Sequence, residues 1–131
     1  MEKDLSQQII GAAIAVHREL GPGFLESIYE SALVLELRSM GFKVEQQKEF
    51  AIYFREKQVG LHRLDLLVND HFIVELKTVE AVGPIHFATV RSYLRATNLR
   101  DAIILNFASS PLTIKRVGTT RETLPRADLQ F

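Results

Sequence analysis

At 131 residues the chain has the length of one compact domain, enough to bury roughly 65–70% of its unfolded surface. Hydrophobic residues make up 47% and charged residues 24%, with 16 basic side chains against 16 acidic ones. That balance gives no sign of a general polyanion-binding surface, so any nucleic-acid contact is expected to be local, from clustered Lys and Arg. The lack of cysteine excludes disulfides, thiolate metal sites and cysteine nucleophiles. No apolar run approaches the ~20 residues of a membrane span, and the polar start Met1-Glu2-Lys3-Asp4 does not suit a secretory signal. A cytoplasmic protein without membrane contact is expected.

Apolar residues at Ile9, Ile10, Ala13, Ile14 and Leu20 have helical spacing and predict a helix from about Leu5 to Leu20, stopped by Gly21-Pro22-Gly23. A second helix is expected from about Leu25 to Met40, with Gly41 beyond its end. The period then changes to two. Val44 to Phe54, Val59 to Val68 and Phe72 to Thr78 predict three antiparallel strands. Their connections are read as Arg55-Glu56-Lys57-Gln58 and Asn69-Asp70-His71. Gly83-Pro84 opens a third helix, about Ile85 to Ala96. The nearly all-apolar run Ala102 to Phe107 has the pattern of a central strand covered on both sides. A last strand, Leu112 to Val117, precedes a polar tail over 118–131 that is expected to be loosely held. The order α, α, β, β, β, α, β, β predicts a single α/β (α+β) domain over residues 1–131, with a mixed sheet flanked by helices.

Glu75 and Lys77 are the informative pair. Two apart on a strand, they project from one face about 6–7 Å from each other, and their neighbours Ile73, Val74 and Leu76 are apolar. Unpaired buried charge costs several kcal/mol, so such groups are normally paired, metal-bound or functional. Asp65, on the preceding strand, joins them only in one register. A two-residue turn at Asn69-Asp70 pairs Asp65 with Val74 and sends the carboxylates to opposite faces. A three-residue loop Asn69-Asp70-His71 pairs Asp65 with Glu75 and puts both on one face; this second register is predicted. Two hard oxygen ligands suit Mg²⁺ or Mn²⁺. A nearby ammonium can hold a water or offset charge on a phosphate.

Asp65 followed by Glu75-Leu76-Lys77 resembles the PD-(D/E)XK nuclease superfamily, in which an Asp precedes a Glu-x-Lys on the next strand of an αβββαβ core like that of restriction endonucleases. Leu64 stands where the name has its Pro. A closer resemblance, to the GxxExxY proteins, rests on Gly23, Glu26 and Tyr29 within Leu20 to Glu30, with Ser92 to Thr97 and Ile104 to Phe107 as later segments. The resemblance implies a metal-dependent nuclease-like protein hydrolysing phosphodiester bonds of nucleic acid. Asp65, Glu75, Lys77 and Glu26 would then be catalytic, and Asp65, Glu75 and Leu76 would hold the metal. Tyr93 is placed on the substrate side, although Thr89 stands four residues before it where some nucleases have Gln.

Other polar residues carry two readings. Arg91 and Arg95, one turn apart, form either a solvated stripe or phosphate contacts. His86 is either structural or a neighbour of the substrate phosphate. Tyr29 reads first as a core aromatic, His17 as a packed, satisfied histidine, and His62 as structural and facing away from Asp65. The alternative to catalysis is an inactive, oligomeric binding domain of the same fold; a hydrolase of small nucleotides is a third reading. A homodimer is the expected assembly.

Overall fold

The computed structural model describes residues 4–118. The first helix, α1 (Leu5–Leu20), starts where the Asp4 carboxylate accepts the Gln7 N–H at 2.8 Å, satisfying one of the free donors of a helix start. It ends at Gly21, whose φ of 72° suits glycine. The second helix, α2 (Glu26–Ser39), follows after the Gly21–Leu25 connection. Tyr29 fixes that connection. Its hydroxyl donates to the Gly21 carbonyl and accepts the Phe24 N–H at 3.1 Å, and its fully buried ring stacks on Phe107 with centroids 4.6 Å apart. Tyr29→Phe keeps the ring and strips both partners. It is expected to lower stability by about 1–3 kcal/mol, read as a fall in the urea midpoint without change of slope. His17 is buried and satisfied, with Nε2 2.9 Å from the Ser109 carbonyl.

The strands are β1 (Val44–Phe54), β2 (Lys57–Val68), β3 (Phe72–Lys77), β4 (Asp101–Asn106) and β5 (Thr113–Gly118). The third helix, α3 (Pro84–Thr97), connects β3 to β4. The sheet order is β1-β2-β3-β4-β5, antiparallel except for the parallel pair β3–β4 that the helical crossover requires. With α2 and α3, the first four strands make the αβββαβ core. One cluster, including Ile9, Leu33, Leu37, Leu66, Val74 and Leu105, packs α1 and α2 on one face. The other, including Leu64, Leu67, Ile73, Val90, Leu94 and Ile104, packs α3 on the opposite face. Burial on both sides is why β3 and β4 read as nearly unbroken apolar runs. The tail expected over 118–131 lies outside the described residues, apart from Gly118 at the end of β5.

Two local readings change. The β1–β2 turn is two residues long, not four: Phe54 pairs with Lys57, and Arg55 and Glu56 take φ of 51° and 69°. Positive φ at both positions is the twist a two-residue hairpin needs, and it is normally met by Asn or Gly, so residue type gave no warning. The alternation of β1 and β2 also breaks. Strict period two would group Leu64 with Leu66, yet Leu64 sits in the α3 cluster and Leu66 in the opposite one. Across the ladder Gln47 has a φ of 52°, and no pair is formed between it and Asp65. His62 is thereby turned onto α3. It meets Tyr93 edge-to-face at 4.8 Å and lies 3.3 Å from the Ser92 hydroxyl, instead of facing away from the acidic side.

Candidate active site

Leu66, Leu67 and Val68 pair with Val74, Ile73 and Phe72, so the connecting loop is Asn69-Asp70-His71. This is the three-residue register, and it sets Asp65 opposite Glu75. Pairing stops at Leu66↔Val74 although β3 runs on to Lys77. The strands part there, which would leave the Leu76 N–H without a ladder acceptor. Asp65 Oδ2 takes that N–H at 2.9 Å. The carboxylate is thus held between the strands by the break it caps, as the need to satisfy buried backbone donors demands.

Glu75 is 5% exposed and Lys77 lies beside it, Nζ 3.8 Å from Glu75 Oε2. The other oxygen, Oε1, has no hydrogen-bond partner. Burial first, then the charge of Asp65, pushes the Glu75 carboxyl up to about 8, with Lys77 opposing. Asp65 is raised in the same direction, mainly by burial, while the Leu76 N–H pulls it down. Lys77 is held from the adjacent strand. Asn106 pairs with it in the ladder and is 1% exposed. Asn106 Oδ1 accepts the Val79 N–H at 3.1 Å, and Nδ2 donates to the Val79 carbonyl at 2.8 Å. Those bonds clamp the chain just after Lys77.

The start of α2 points its acids at this break. Glu26 is half-buried, and its carboxyl is raised by burial and then by Asp65; Lys77 and the Thr78 N–H oppose the shift. One turn later Glu30 is 7% exposed and accepts Gln46 Nε2 at 3.1 Å and Gln47 Nε2 at 3.0 Å. Gln47 Nε2 also lies 3.4 Å from Asp65 Oδ1. The carboxylates of Glu26, Asp65 and Glu75 therefore share the field of the Lys77 ammonium, and Glu30 joins them through Gln47. Glu30, Gln47 and Asn106 were absent from the residue set expected from sequence. The signals were a second Glu four residues after Glu26, which shares its helix face, and a lone Asn in an otherwise apolar strand.

The α3 residues divide. Tyr93 borders the cluster: burial, then the charges of Glu75 and Asp65, push its phenol to about 12. His86 closes the helix start, its Nδ1 accepting the Gly83 N–H at 2.9 Å. Thr89 spends its hydroxyl on the Ile85 carbonyl at 2.9 Å, a local bond common for threonine in helices. Arg91 and Arg95 are exposed, with no ion pair to any described residue. Among the described residues no three His, Asp or Glu side chains close on a single point as ligands for a metal ion. The donor set on offer is two carboxylates and backbone oxygen.

The family model of the PD-(D/E)XK nuclease superfamily matches residues 3–117. The chain belongs to the PD-(D/E)XK nuclease superfamily. The match runs through all eight elements and includes the break that joins Asp65, Glu75 and Lys77. No curated protein and no solved structure matches the chain significantly. Among the described residues no helix is long and apolar enough to cross a membrane.

Proposed function

We propose that this chain is a divalent-metal-dependent phosphodiesterase acting on nucleic acid, centred on Asp65, Glu75 and Lys77. The observation that carries the reading is the orphan Oε1 of Glu75, a buried carboxylate oxygen next to a second carboxylate. Interiors seldom leave such an atom unmatched, and a hard cation is the partner that two raised carboxyls and a backbone oxygen fit. Asp65, Glu75 and the Leu76 carbonyl would hold Mg²⁺ or Mn²⁺. The ion supplies Lewis acidity toward water and phosphate when bound.

Lys77 positions the attacking water or offsets the negative charge that builds on the phosphate oxygens. Glu26 adds negative charge from α2 and acts on the site through the field more than as a direct ligand. Tyr93, with its proton held to about 12, donates a hydrogen bond and does not serve as a base. Arg91 and Arg95 face solvent as phosphate contacts. His86 has Nδ1 engaged by the helix start, so Nε2 is the nitrogen left for substrate. The finer assignment to the GxxExxY group is supported by the way Glu26 reaches the site while Gly23 and Tyr29 shape the connection that delivers it. The Thr89 hydroxyl is spent within α3 and weakens helix-borne contacts. The intact Asp65, Glu75 and Lys77 still support catalysis over a purely binding role.

Calorimetry with Mn²⁺, run beside a cleavage assay on single- and double-stranded DNA and RNA, tests the reading. Binding and cleavage should both appear with the wild-type chain and both vanish in Asp65→Asn. A wild-type chain that neither binds Mn²⁺ at millimolar concentration nor cuts any of the four substrates overturns it.

A further inference from the structure

The β1–β2 hairpin outgrows the sheet. β2 pairs with β3 only over Leu66–Val68, so the part of the hairpin from Lys48 to Leu64 runs free of β3. From Asp65 to the turn it reaches roughly 25 Å at the rise of a strand. It runs toward the C-terminal end of β3, because β2 and β3 are antiparallel, and that end carries Glu75 and Lys77. At its base Phe50 and His62 rest on α3. Beyond them four large apolar side chains are exposed: Tyr53 is 64% exposed, Phe54 59%, Val59 63% and Leu61 52%. Exposed apolar groups so concentrated mark a binding surface more often than chance.

The charges around them choose the partner. Arg55 stacks over the Phe54 ring at 4.9 Å, and neither Arg55 nor Lys57 has an acidic partner among the described residues. The helix against which the arm leans has no acidic residue and carries Arg91 and Arg95. A second exposed apolar strip lies on α2, at Leu25, Ile28 and Leu35, but the groove beside it is lined by Glu19 and Glu36. Exposed aromatic rings flanked by cations without acidic partners are what a single-stranded nucleic acid requires, since every base has a face to stack and every phosphate needs a cation.

We infer that the tip of the β1–β2 arm is a stacking site for single-stranded nucleic acid, with Tyr53 and Phe54 receiving bases on its opposite faces while Arg55 and Lys57 meet phosphates. The arm feeds the strand toward the break at Asp65. This deepens the phosphodiesterase reading and rests on it for the direction of the strand.

Fluorescence anisotropy of the full chain with labelled oligothymidylate, in EDTA, tests it without calling on the metal. The single strand is expected to bind at least tenfold tighter than the same sequence in a duplex. Tyr53→Ala and Phe54→Ala should each weaken binding by about tenfold, while Tyr53→Phe keeps its ring and its affinity. Tighter duplex binding, no binding at all, or full affinity in both alanine variants overturns the inference. So does a wild-type dimer that falls apart in sedimentation when Tyr53 is removed, because the arm is then an interface between copies. A chain that binds but never cuts fails the phosphodiesterase reading alone. A chain that cuts while its alanine variants bind normally fails this inference alone.

Discussion

Lys77→Ala is expected to lower metal-dependent cleavage by about 10²–10³, the usual cost of removing one preorganised group that meets transition-state charge. Lys77 pulls the Glu26, Asp65 and Glu75 carboxyls downward. Its removal therefore has a second, independent signature. Asp65 and Glu75 should hold their protons to higher pH, so Mn²⁺ binding in the variant should need a more alkaline solution than in the wild type. Lys77→Arg keeps the charge but replaces a compact ammonium with a planar fork. It should restore the pH dependence of metal binding more fully than it restores the cleavage rate. A Lys77→Ala chain that cuts at the wild-type rate rules out any role for this ammonium in the chemistry. A rate loss without a shift in the pH dependence of binding rules out its electrostatic role.

Glu75→Gln is expected to trade metal binding for stability. In the folded metal-free chain the Glu75 carboxyl is pushed up to about 8 from an ordinary 4.5. Between those values the native state keeps a proton that the unfolded chain has released, so native binds more protons and stability falls as pH rises. The contribution is complete below about pH 4.5 and is lost as pH passes through about 8. Gln does not titrate. The variant should lose most of that slope and be more stable than the wild type above pH 8, by several kcal/mol if the whole shift is expressed. What slope persists belongs to Asp65 and Glu26, which are raised in the same sense. Metal should reverse the wild-type trend, because a bound cation favours the ionised carboxylates and releases protons on binding. Gln should weaken Mn²⁺ binding by about 10–100-fold or more, taking the loss of a supporting residue as the lower bound. Urea midpoints across pH, with and without Mn²⁺, give both readouts. A variant that keeps the wild-type slope, or binds Mn²⁺ as tightly, defeats this account of Glu75. The trade is the familiar one in which a functional site is held at a cost to stability.

What the sequence determined by itself is local. The first helix falls on Leu5–Leu20 and β1 on Val44–Phe54 as expected, because apolar spacing and terminal Gly and Pro act within a few residues. Glu75 and Lys77 were paired by strand period alone. Asp65 followed once loop length set the register, and that too is a local quantity. Boundaries moved by a residue or two: α2 begins at Glu26, β2 begins at Lys57, and α3 extends to Thr97, where Asn98 takes a left-handed φ of 62°.

Tertiary structure decided the rest. Glu26 could be placed at the site only through the family resemblance, since nothing in α2 alone says which strand end it meets. Glu30 and Gln47 are far apart in the chain and become one network only when α2 packs against β1. Asn106 is a polar flaw in β4 until Val79 is laid beside it. The turn of His62 onto Tyr93 needed the break at Gln47 and Asp65, which no period-two pattern can announce. The cluster around Asp65 is therefore half encoded by strand register and half assembled by packing. Register is a property of one hairpin, whereas the burial that raises Glu75 requires every layer of the fold to be in place.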